Sequence, residues 1–71
     1  MINEKDVKAG NRYKLATNEI VEVLKVYNGF YPRTKNLYVE VKFIKADKKF
    51  MGKKYELVLQ DFCHLNMINE I

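Results

Sequence analysis

Residues 37–45, LYVEVKFIK, decide the fold class. Leu37, Val39, Val41 and Phe43 alternate with Tyr38, Glu40, Lys42 and Ile44, a period of two that sets four apolar side chains on one face of a strand. A second alternation follows at Tyr55, Leu57 and Leu59 against Glu56, Val58 and Gln60. Between them, residues 46–54, ADKKFMGKK, read as a hairpin connection in which Gly52 is free to take a positive φ. The two strands are expected to pair antiparallel.

Upstream, residues 20–27, IVEVLKVY, admit two readings. Ile20, Val23, Leu24 and Tyr27 have helical spacing, with Asn18 placed to cap it. Four of the eight residues are β-branched, however, and that favours a strand. As a strand, Val21 and Val23 fall on one face and Leu24 and Val26 on the other, so a β-bulge near Val23 and Leu24 brings both pairs inward. We take the segment as one long bent strand. Arg12 to Leu15 forms a short strand before it, led in by Gly10, and residues 16–19 make the turn.

Asn28-Gly29 is a strong turn pair. It opens the loop NGFYPRTKN, residues 28–36, where Pro32 and Asn36 interrupt regular structure. Near the C-terminus Asp61 is placed to cap a single helical turn, DFCHLN, with Phe62 and Leu65 inward. Residues 67–71 complete the order as a last short strand. The expectation is an all-β chain of five short strands, with one helical turn before the fifth and residues 1–9 irregular.

That order resembles the small Src-homology-3-like or Tudor-like β-barrel, over nearly the whole chain from Val7 to Ile71. The carriers are KAGNRYKL leading into the first strand, the bent strand IVEVLKV, the alternating LYVEVKF, and YELVLQDF closing into a final strand. It is similar in particular to short phage and prophage proteins that pair a G-x-x-Y lead-in with an L-x-x-F ending. The resemblance implies a five-stranded barrel that binds peptides, methylated tails, RNA or DNA. It favours binding over catalysis and does not choose the ligand. The proline-peptide groove of that class needs acidic loops, and the loops here are basic.

Composition sets the outer bounds. Seventy-one residues, 48% hydrophobic and 31% charged, make one small domain with no room for a second. A chain this short buries only roughly 60% of the surface its unfolded form exposes, so its large apolar residues are committed to one thin core and a deep enzyme cleft is not expected. No apolar run approaches the ~18 residues that span a bilayer, and MINEKDVKAG lacks the apolar stretch of a signal peptide. A soluble cytoplasmic protein is expected. Cys63 and His64 are the only soft ligands, too few for a metal site, and neighbours on a helical turn point about 100° apart, which suits no thiol–imidazole pair. No catalysis, metal or cofactor is expected, with Cys63 a buried structural residue.

Charge points to a surface. Thirteen Lys and Arg against nine Asp and Glu leave +4, and Lys45, Lys48, Lys49, Lys53 and Lys54 concentrate within ten residues opposed only by Asp47. Phe50 and Met51 stand between the lysine pairs as an apolar tip. In the loop, Tyr31, Arg33 and Lys35 mix a ring with cations, as single-strand binders do. Two partners fit these residues. The first is nucleic acid, held through phosphates by the lysines. The second is an acidic protein surface, such as a host or defence protein met by a phage accessory protein, with Phe50-Met51 as anchor. A variant of the second sequesters an anionic nucleotide. One exposed strand edge is expected on so short a barrel, and a homodimer by edge pairing follows.

Overall fold

The computed structural model describes residues 2–29, 36–65 and 69–71. Strands β1 (Arg12–Lys14), β2 (Ile20–Asn28), β3 (Leu37–Lys45) and β4 (Lys54–Val58) form an antiparallel meander. The short helix α1 (Leu59–Cys63) follows, and β5 (Asn69–Glu70) returns to pair with β1. The sheet runs β4-β3-β2-β1-β5. The chain is thus mostly β, as its alternations imply. The expected closed barrel is not formed. Among the described residues β4 and β5 are opposite edges with no pairing between them, because β5 contributes two residues and both face β1.

The β2–β3 ladder is the longest, and a bulge sets its parity. Val21 lies opposite Phe43 and Val23 opposite Val41; the register then skips Leu24, and Val26 lies opposite Val39. The extra residue moves the inward position from odd to even numbers, so Val21, Val23 and Val26 all turn to the core. Leu24 itself does not join them. It is half-buried outside the core cluster, a correction to the expectation that both apolar pairs turn inward.

Glycine and asparagine absorb the tight points. Gly10, at φ +94, exchanges the chain into β1 with its N–H on the Val23 carbonyl at 2.8 Å. Asn18, at φ +68, carries the turn between β1 and β2, a conformation short polar side chains tolerate.

A single layer covers the inner face. Leu59, Phe62 and Cys63 of α1 are all buried there, at spacings of three and four residues that share one helical face. This is why the strand ends at Val58 and Leu59 leaves the alternation. Asp61 caps nothing: the N-cap residue is Val58, without a side-chain hydrogen bond. At the other end, residues 4–6 form a 3-10 turn rather than irregular chain, with Asn3 Oδ1 accepting from the Lys5 N–H at 2.9 Å. That turn brings Val7 into the core.

Tyr13 is fully buried, and Phe62 meets it edge-on at 5.4 Å between ring centroids, 82° between planes. This contact joins β1 to α1. Phe62→Ala is expected to cost about 3–5 kcal/mol, the range for large aromatic truncations. That equals most of the ~5 kcal/mol that a domain of this size holds. Thermal unfolding followed by circular dichroism should show the variant largely unfolded.

Candidate functional site

The expected cationic residues lie where the hairpin between β3 and β4 places them. The loop closes by hydrogen bonds from the Phe50 and Met51 N–H groups to the Asp47 carbonyl, at 2.8 and 3.0 Å. Gly52, at φ +76, then donates to the Phe43 carbonyl, and Phe43 donates to the Lys53 carbonyl, at 2.9 and 3.1 Å. This is a bulge with glycine in its left-handed position, and it fixes how the tip joins the ladder. Lys45, Lys48, Lys49, Lys53 and Lys54 are all exposed along this hairpin.

The apolar tip divides. Phe50 leans on Phe43, 6.0 Å between centroids, and the Lys49 ammonium sits 5.2 Å from its ring centre. Met51 is 47% exposed, its sulfur accepting from the Ala46 N–H at 3.1 Å. Of the two, only Met51 projects. Tyr31, Arg33 and Lys35 lie outside the described residues.

The ladder adds residues that a count along the sequence misses. On the outer face Lys42 stands opposite Glu22 on one side and Lys54 on the other, while Glu40 stands between Lys25 and Glu56. Arg12 completes the first row through its Nε, 3.1 Å from Glu22 Oε1. Signs alternate from β1 or β2 to β3 and then repeat at β4. Lys42 therefore extends the hairpin's positive charge onto the sheet, and Glu40 with Glu56 makes an acidic neighbour. A period-two reading of β3, carried across to its partners, is the signal that finds Lys42.

Beyond the acidic pair, Tyr27 stacks with Tyr38, centroids 6.0 Å apart and planes 25° apart, and Lys25 sits 4.8 Å from the Tyr27 ring centre. Desolvation first, then the hydrogen bond and charge of Glu56, push the Tyr27 phenol up to about 12. Burial, with a smaller push from Glu4, also raises the Cys63 thiol above its ordinary value, so this side chain is a poor nucleophile.

Two hollows remain. One, about 210 Å³, is lined only by apolar groups, among them Leu15, Phe43, Tyr55, Leu57 and Leu65. It is smaller than the ~300 Å³ at which small-molecule sites begin and has no polar group to orient a ligand. The other lies between the β1–β2 turn and the start of the hairpin, where Lys45 is outnumbered by Glu19 and Asp47. Among the described residues no three His, Cys, Asp or Glu side chains gather to hold a metal ion, and no helix is long and apolar enough to cross a membrane. Compared with family models, curated proteins and solved structures, the chain matches none.

The phenol gives a check on this face. In the folded protein Tyr27 should keep its proton until about pH 12, against 10.0 ordinarily. The unfolded chain gives up that proton first, so the stability linked to Tyr27 is present below pH 10 and is lost as pH rises towards 12. Glu56→Gln should lower the midpoint in an ultraviolet titration while leaving it above the ordinary value, since desolvation is the larger cause. A midpoint unmoved by Glu56→Gln would remove the carboxylate from this account.

Proposed function

We propose that the chain is a non-catalytic binding module whose ligand is nucleic acid, held through phosphates by the basic hairpin and the adjoining end of β3. The observation that carries this reading is the facing pair Lys42 and Lys54, continuous with four further exposed lysines on one hairpin. Like charges directly opposite in a ladder are destabilising by a few tenths of a kcal/mol or more. A polyanion lying along the hairpin converts that repulsion into attraction. Lysine, a strongly hydrated point charge, suits phosphate contact without base readout.

Support also comes from what the other partners would need. An apolar anchor in a protein groove would call on Phe50 and Met51 together, and Phe50 is engaged with Phe43. An anionic nucleotide would find more carboxylates than amines in the polar hollow beside Lys45. The four-strand meander, the helix before β5 and the return of β5 to β1 support a resemblance to Src-homology-3-like and Tudor-like binding modules, in a sheet that stays open.

The test is binding to labelled single- and double-stranded DNA and RNA, by fluorescence anisotropy at several salt concentrations. About five phosphate contacts give a log–log salt slope near −4 on duplex DNA, with affinity no better than micromolar at physiological salt. Replacing Lys48, Lys49 and Lys53 with glutamine should leave the fold intact, within about 0.5 kcal/mol per site. The same change should flatten the slope by about one unit per lost contact and weaken all sequences alike. Absence of binding to every probe at low salt, or a slope unmoved by the triple substitution, would overturn the reading. Loss of a protein partner on Met51→Ala would point to the acidic-surface alternative.

A further inference from the structure

The like-charge pairs at the β4 edge have a second resolution. Glu40 faces Glu56 and Lys42 faces Lys54, so each of these β3 residues, already matched on its β2 side, repels its β4 neighbour. Because Phe43 donates to the Lys53 carbonyl and accepts from the Gly52 N–H, the bonded pairs beyond it are Val41–Tyr55 and Val39–Leu57. The N–H and C=O groups of Lys54 and Glu56 therefore point away from β3, along an edge with no partner among the described residues. Lys54 and Glu56 also share the outer face, two residues apart with opposite signs.

We infer that β4 is a homodimer edge: two copies pair antiparallel about Tyr55, with Lys54 of each opposite Glu56 of the other. Four registers set outward groups opposite outward groups, and only one satisfies the rest. Centred on Lys54, the pairing would set two Lys54 amines together beside two Lys42 amines. Centred on Glu56, the pairing would set two Glu56 carboxylates together beside two Glu40 carboxylates. Centred on Leu57, it would need residues 59 and 60 extended, and they are helical. Centred on Tyr55, it places a lysine against a glutamate twice and follows the repeated sign at the β4 end of each row with its opposite.

The inner face agrees. Tyr55 is 40% exposed, and Phe43 fixes its ring edge-on at 5.4 Å. Facing its own copy across the close, non-bonded kind of pair, Tyr55 buries that exposed side. Lys53 lies opposite Leu57 of the second copy, its methylene stem covering apolar surface while the amine reaches water. A lone lysine on an edge repels its copy and keeps a sheet monomeric. A lysine and a glutamate flanking the dyad do the opposite. So short an edge buries less than the ~1,200 Å² of a standard stable interface, so association belongs in the micromolar-to-millimolar range.

Sedimentation equilibrium up to about 1 mM tests this without any ligand. The native chain should reach dimer. Lys54→Glu and Glu56→Lys should each weaken association at least tenfold, since each turns two attractive contacts into two repulsive ones. Both stay folded, because each also converts a like-charge pair inside the sheet into an opposite one. The double swap, Lys54→Glu with Glu56→Lys, restores the opposition across the dyad and should dimerise at least as well as the native chain. A native chain that stays monomeric, single variants that dimerise like the native chain, or a double swap that stays monomeric would each overturn the proposal.

Discussion

Without Leu24 standing outside the ladder, β2 could not serve this core. Its apolar residues at positions 21, 23 and 26 belong to two different faces of a regular strand, and one extra residue reconciles them. The same insertion turns Lys25 and Tyr27 to the outer face, opposite Glu40 and Tyr38. The bulge therefore builds the valine layer inside and the charge rows outside in a single step. Everything that positions the outer-face residues depends on it, because a one-residue slip would bury Lys25 and expose Val26.

A thin core has a consequence at the hairpin. The described inner face is covered by one helical turn and the start of the chain, and Phe43 at its margin is only partly buried against that core. Phe50 and Tyr55 pack on Phe43 from the tip and the edge instead, leaving only a small apolar hollow between them and Leu65. The rigidity of the basic hairpin thus comes from aromatic packing at its base and from the Gly52 bulge, while its lysines stay in water. A scaffold of that kind holds charge in place at little entropic cost to the cations themselves.

Much of this was legible in the sequence, and the misses have physical causes. The strand over residues 37–45, the bulge near Val23 and Leu24, the antiparallel hairpin and the positive φ at Gly52 all follow from period, β-branching and turn chemistry. In the sequence Leu59 reads as part of the second alternating strand because, two residues beyond Leu57, it keeps the strand period. Its spacing to Phe62 and Cys63 fits a helix equally, and in five residues the two periods cannot be separated. Barrel closure was unreadable because it depends on how far β5 pairs, not on its pattern. The roles of Lys42, Glu40 and the Tyr27–Tyr38 stack are set by neighbours across the ladder, which the order of residues along the chain does not display.

That distinction matters for what the surface can recognise. Along the chain, residues 45–54 read as one basic stretch opposed only by Asp47. Across the sheet, a basic end at Lys42 and Lys54 adjoins an acidic end at Glu40 and Glu56 within one residue pair of strand. A polyanion is drawn to the first and repelled by the second, so a bound phosphate chain would run along the hairpin and not across β4. An edge with one sign at each end is electrostatically polar, and such an edge attracts its own copy only when reversed, which is the orientation that antiparallel pairing supplies. Reversal also sends the two hairpin tips out on opposite sides of the dyad. The lysines nearest each tip, Lys48 and Lys49, then remain open to solvent while the charges nearest the dyad neutralise one another.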